Sequence, residues 1–194
     1  MKKILLAIIL IFGFSGISNA ADQGQMRLGL DLGFSPVDLE AEKTAQELAN
    51  LSGSTVTVEY DTGSFVGRIF GEYGLSSTMD LEFGYFTTSD AEAKYTISGA
   101  SAKESYYADG FDFSLNFKGG DGWFGKLGMH SSTVHGNASI TIGGTTYAVT
   151  ASRDGSGPLF GGGFEADGTR YSITHYVDVG DTTDYTMFSV GWLF

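Results

Sequence analysis

The chain has 194 residues, with 11 Lys and Arg against 23 Asp and Glu, and no cysteine. A formal charge of -12 excludes the basic patches that nucleic-acid phosphates require. Without thiols there is neither a disulfide frame nor a thiolate metal site, and three histidines without clustered spacing give no metal site, so no cofactor is expected.

The first residues read as a secretory signal. Lys2 and Lys3 form a positive region, residues 4–14 an apolar stretch, and Ser18-Asn19-Ala20 a small-x-small cleavage site. The stretch is too short for a spanning helix, which needs about 20 apolar residues. Residues 1–20 are therefore expected to be removed and 21–194 to form one domain. Loss of Lys2 and Lys3 leaves 9 basic against 23 acidic residues. A secreted chain of this size without disulfides needs a real core or a membrane to stabilise it.

Eight segments alternate with period two, which places one apolar and one polar or small face on a strand. Residues 26–34 set Leu28, Leu30, Leu32 and Phe34 against Arg27, Gly29, Asp31 and Gly33. Residues 65–75 set Phe65, Ile69, Tyr73 and Leu75 against Arg68, Glu72 and Gly74. Residues 79–87 set Leu81, Phe83 and Tyr85 against Asp80, Glu82 and Gly84. In 107–118, Phe111, Phe113, Leu115 and Phe117 form one row, with Asp112, Ser114, Asn116 and Lys118 behind it. Residues 123–130 oppose Trp123, Leu127 and Met129 to Lys126 and His130, and 159–166 oppose Phe160 and Phe164 to Gly161, Gly163 and Glu165. The seventh segment, 170–177, is irregular: Tyr171 and Ile173 point to one face and Tyr176 to the other, which predicts a bulge or a shifted register. The eighth, 185–194, places Phe188, Val190, Trp192 and Phe194 on one face.

The connections alternate in length. Ser76-Ser77-Thr78, Gly119-Gly120-Asp121-Gly122 and Asp167-Gly168-Thr169 are tight turns, whereas 35–64, 88–106 and 131–158 are long. Brief turns at one end and long loops at the other are the asymmetry of a membrane-spanning up-and-down antiparallel β-barrel, with short periplasmic turns, extracellular loops and both termini in the periplasm. Twenty-nine glycines, 25 Phe and Tyr and two prolines fit this all-β class. Within the loops, 139–142 and 145–150 read as a hairpin about Gly143-Gly144, and 38–51 as a helix with Ala41, Ala45, Leu48 and Ala49 on one stripe. A soluble periplasmic barrel is the rival fold; the unbroken row Phe111, Phe113, Leu115, Phe117 argues for lipid.

Several stretches carry a resemblance. Gly157-Pro158-Leu159-Phe160-Gly161-Gly162-Gly163-Phe164-Glu165 is similar to the Pro-x-Phe-x-Gly-Gly-x-Glu strand of the OmpA/OmpX-type eight-stranded outer-membrane barrels. Leu81-Glu82-Phe83-Gly84-Tyr85 and Lys126-Leu127-Gly128 resemble that family's third and fifth strands. The ending Val190-Gly191-Trp192-Leu193-Phe194 resembles the aromatic-ended signal read by the barrel-assembly machinery, which assigns that role to Phe188, Val190, Trp192 and Phe194. The resemblance implies localisation in the bacterial outer membrane and places Glu82 and Glu165 in an interior charge network. It extends to the barrel alone, and no peptidoglycan-binding domain is expected. The seventh segment departs from the family's inward Arg-x-Glu, with Ser172 and Thr174 in that neighbourhood.

An eight-stranded barrel is just wide enough for side chains to fill it, so its inward charges must pair. Arg27, Asp31, Arg68, Glu72, Glu82, Lys118, Lys126 and Glu165, joined by Asp80 and Asp112, are expected to form a structural salt-bridge network. Functionally, the expectation is a non-enzymatic, monomeric barrel whose loops carry a structural or adhesin-like role, contacting outer-membrane lipid, lipopolysaccharide and a host or surface ligand. One alternative is a small gated ion channel in which Glu82 and Glu165 exchange partners among Lys118, Lys126 and Arg68. Another is a lipid A-modifying enzyme using His130 and Ser132, with Asp112 on the adjoining strand.

Overall fold

In a computed structural model of the chain, which describes residues 23–97, 99–181 and 183–194, ten strands form a single antiparallel sheet and one α-helix lies between the first two of them in sequence. The strands are β1 (Met26–Pro36), β2 (Thr57–Tyr60), β3 (Gly63–Ser76), β4 (Met79–Thr88), β5 (Ala91–Ile97), β6 (Ala100–Lys118), β7 (Trp123–Ile142), β8 (Thr145–Ala166), β9 (Thr169–Val179) and β10 (Thr183–Leu193). The helix α1 is Ala41–Ser52. The predicted leader lies outside the described residues.

Eight strands close on themselves in the order β1-β3-β4-β6-β7-β8-β9-β10, with β10 paired to β1. The period-two pattern fixes which face each side chain takes, because a slip of one residue would exchange the lumen and the outside. Polar and small residues turn in. The outside carries Leu28, Leu32, Phe65, Ile69, Phe83, Phe111, Phe113, Leu127, Phe160, Ile173 and Phe188, all exposed. Water would not tolerate so continuous an apolar wall, whereas lipid matches it. No helix among the described residues is long and apolar enough to cross a membrane. The cylinder crosses it with strands, whose backbone groups are all satisfied by neighbours.

Both described ends sit with the short turns. Gly24 donates to the Gly74 carbonyl, Leu193 to that of Gly168, and Phe194 exchanges backbone bonds with Leu28. The opposite end is built up beyond the belt. There β7 and β8 run on as one hairpin to a turn at Gly143 and Gly144, so the predicted hairpin of 139–142 and 145–150 is present and extends through the whole of the predicted loop 131–158 as continuous strand (20 and 22 residues). With the outer parts of β6, β5 and β2 it forms a five-stranded sheet standing off the barrel rim. Helix α1 buries Ala41 and Ala45 against Ala93 and Tyr95 on one face of that sheet. It begins later than predicted: Asp38 accepts the Glu40 N–H in a turn, and Glu40 has a left-handed φ of 47°.

The seventh segment is also corrected. β9 pairs with β8 in unbroken register, and Arg170, Ser172, Thr174 and Tyr176 all point inward. The register shift lies one strand later, between Thr183 and Tyr185 of β10. Tyr176 looked out of place because an inward aromatic resembles a lipid-facing one in sequence.

Candidate functional site

The lumen divides into two layers. The half nearer the short turns is charged. Glu82 lies at its centre, accepting from Arg68 at 2.6 Å, Lys126 at 2.5 Å, Arg170 at 2.5 Å and the Asn116 amide at 2.8 Å. Glu72 binds Arg27 at 2.7 Å and Lys118 at 2.9 Å, and also Arg170. Arg68 reaches Asp31 at 3.0 Å and both oxygens of Asp112. Lys118 also meets Asp80. Phe70 lies between two guanidinium groups, with Arg68 and Arg170 each 4.8 Å from its ring centroid. Cations and carboxylates so tightly interleaved offset one another's charge.

Two inward glycines make room for this packing. A Cβ on Gly84 would lie 2.5 Å from the Arg68 guanidinium, and one on Gly191 would lie 2.0 Å from Asp31.

All eight predicted network residues line this layer or its edge, and the partners of Glu165 are not those the ion-channel alternative named. Glu165 binds Arg27 at 2.7 Å and approaches Arg170 at 3.6 Å; it does not share Lys118, Lys126 or Arg68 with Glu82. Those three cations lie on strands that carry them toward Glu72, Asp80, Asp112 and Glu82. Sequence reasoning omitted Arg170, which joins Glu72 to Glu82.

Toward the outer end the lumen becomes apolar. Val66, Phe86, Ala108, Leu159, Tyr176, Val179, Tyr185 and Met187 pack into one buried cluster. The rings of Phe86 and Tyr176 lie 5.0 Å apart, and the Tyr176 hydroxyl donates to Asp112, joining the two layers. This cluster plugs the cylinder.

His130 and Ser132 are adjacent inward residues of β7. Ser132 Oγ lies 3.2 Å from His130 Nδ1 and accepts the Gly180 N–H at 3.3 Å. His130 Nε2 is 2.6 Å from the Val177 carbonyl. That contact makes Nε2–H the donor and leaves Nδ1 to accept from the hydroxyl. Asp112, opposite His130 in register, is turned to Arg68 and Tyr176 instead of orienting the imidazole. Both side chains are buried, and the pair ties the β9–β10 turn to the barrel wall.

The projecting sheet has two unequal edges. β2 is four residues long and carries Glu59. At the other edge, residues 145–152 of β8 have β7 on one side and no ladder partner on the other among the described residues, since β9 joins only from Leu159. That edge, Thr145-Thr146-Tyr147-Ala148-Val149-Thr150-Ala151-Ser152, holds no charge, proline or glycine. Beside it, Ile140, Ile142, Tyr147 and Val149 form an exposed apolar strip that α1 does not reach. Under the helix, the Tyr95 hydroxyl donates to Glu104; burial first, and this carboxylate second, push the Tyr95 pKa up to about 12.

No family model and no curated protein matches the chain. Solved structures with a similar fold include the attachment invasion locus protein of Yersinia pestis, at 12% identity and TM-score 0.44, covering 89% of this chain and 99% of that one. Outer membrane protein OprG from Pseudomonas aeruginosa gives 11% identity and TM-score 0.46, covering 89% and 98%. Neisserial surface protein A gives 13% and 0.38, covering 87% and 95%. From its closed ring, apolar belt and one-sided loops, the chain is an eight-stranded β-barrel of the outer-membrane type.

Proposed function

We propose that this monomeric barrel is a non-enzymatic surface-interaction protein, adhesin-like in role, that presents its outer sheet to an extracellular polypeptide. The bare β8 edge carries the reading. Exposed strand edges are templates for pairing, and proteins ordinarily blunt them with Lys, Pro, bulges or shortness. Here the β2 edge is short and acidic while the β8 edge lacks every such device. An added strand would satisfy its free backbone groups and set alternate side chains against Tyr147 and Val149. The charged lumen and its plug serve as the rigid mount, the outward row of β10 as the signal for the assembly machinery, and the belt contacts lipid and lipopolysaccharide.

The test is adhesion of cells displaying wild type or Tyr147→Lys/Val149→Lys to immobilised extracellular polypeptides and to host cells. Two lysines on the strip and edge should abolish attachment while both proteins still show heat-modifiable gel migration. Equal attachment by folded variant and wild type refutes the proposal. For the absence of catalysis, lipid A from cells with wild type, His130→Ala or no barrel should give one and the same mass spectrum.

A further inference from the structure

A cavity of about 710 Å³ opens at the outer mouth of the barrel, above the plug and beneath the projecting sheet. Val37 and Leu39 from the segment before α1, Tyr106 of β6, Val134 of β7, Ala151 of β8 and Tyr185 of β10 supply its apolar lining. Its floor is closed: Val134 packs against the plug, and Tyr185 belongs to it. This is the size and character of a small-molecule site, mostly apolar with a few placed polar groups.

Three charged side chains reach the cavity: Asp38, Asp184 and Arg153. Arg153 is already neutralised, 2.8 Å from Asp181 outside the lining. Asp38 accepts the Glu40 N–H at 2.9 Å through one oxygen, and no ion pair to it is found among the described residues. Asp184 accepts the Asp178 N–H at 3.2 Å, and among the described residues its other oxygen meets only the His175 ring, at 3.7 Å. The cavity therefore carries two solvent-exposed carboxylates at its rim, neither in a close ion pair among the described residues, above an apolar floor.

We propose that the mouth cavity binds a small cationic amphiphile, its hydrocarbon part on Leu39, Val134 and Tyr185 and its ammonium group between Asp38 and Asp184. Because the plug seals the floor, the ligand is held and not passed inward. The site borders the β8 edge at Ala151 and Ser152, while Ile140, Tyr147 and Val149 of the strip take no part in its lining.

The experiment titrates hexyltrimethylammonium into the full barrel in phosphatidylcholine nanodiscs and follows binding by calorimetry. Hexyl sulfate, tetramethylammonium and empty nanodiscs are run alongside. Saturable one-site binding is expected for the cationic amphiphile, with each comparison ligand at least roughly tenfold weaker, since both the apolar contact and the charge contribute. Ala151→Trp, which fills the cavity from an exposed wall position, should remove binding. Asp38→Asn/Asp184→Asn keeps the main-chain bonds and should weaken it roughly tenfold. Heat-modifiable migration confirms that the variants are folded. Four results would each overturn the proposal: no saturation above the empty nanodisc, equal binding of hexyl sulfate, equal binding of tetramethylammonium, or undiminished binding by folded Ala151→Trp.

Discussion

Arg170 of β9 and Glu82 of β4 meet across the lumen at 2.5 Å, a contact that spans 88 residues of sequence and joins opposite walls of the cylinder. The same guanidinium holds Glu72 and stacks over Phe70 and Phe124. Arg170→Met would keep much of the volume and leave two buried carboxylates short of a cation. A loss of about 3–5 kcal/mol is expected, as for a broken buried pair. The urea unfolding midpoint in lipid vesicles measures it. Arg170→Met/Glu72→Gln should recover part of the loss, because the uncompensated charge and not the missing contact dominates.

Gly84 is present because Arg68 occupies the space a side chain would take. Gly84→Val should push the guanidinium off Asp112 and Glu82 and cost about 1–3 kcal/mol, as overpacking does. Gly67 faces out with nothing within 4 Å of an added Cβ. Gly67→Val should change stability far less. Equal effects at the two glycines would contradict the interior packing.

Phe113 stands in the outward row of β6, 48% exposed. Phe113→Arg should cost about 2–4 kcal/mol if that row sits at the bilayer midplane. The comparison site is Tyr147, 63% exposed on the projecting sheet. Tyr147→Arg should leave the unfolding midpoint nearly unchanged, since that side chain meets water.

The Tyr95 phenol gives the outer sheet an alkaline limit. Its pKa in the folded protein is about 12, against an ordinary value of 10.0. A raised pKa means the folded state holds the proton more tightly, so this contribution is intact below pH 10 and falls as pH rises toward 12. Ultraviolet difference titration should show a late-ionising tyrosine that Tyr95→Phe removes. Protease sensitivity of the α1 loop should rise over the same interval.

Most of the cylinder was legible because a barrel wall obeys a strict alternation: Arg27, Arg68, Glu72, Glu82 and Lys126 sit on the small, polar side of segments whose other side is Leu, Ile and Phe. Their partners were not legible. Which cation meets Glu165 depends on the register between strands far apart in sequence, and alternation within one strand says nothing of it. Arg170 was missed for a related reason: Tyr176, three turns of the pleat further along the same inward face, reads as an outward aromatic. The plug was hidden likewise, since Phe86 and Leu159 are apolar on both readings and only closure of the ring shows which way they point. The tip of the β7–β8 hairpin was legible in the alternation of 139–142 and 145–150 about Gly143-Gly144, but its bare edge was not, because which strands flank it is set by the pairing of β7 with β6 and by β9 joining β8 only from Leu159.

The hairpin formed by β7 and β8 has a consequence in height. From Ser131 to the turn, β7 adds about a dozen residues beyond its membrane part, and at roughly 3.3 Å per residue this makes an arm of some 40 Å along the strand, or near 30 Å of elevation at the usual tilt. Sugar chains anchored in the outer leaflet would surround the base of such an arm, and those shorter than about 30 Å would leave its tip clear. A partner meeting the tip would then be held away from the bilayer.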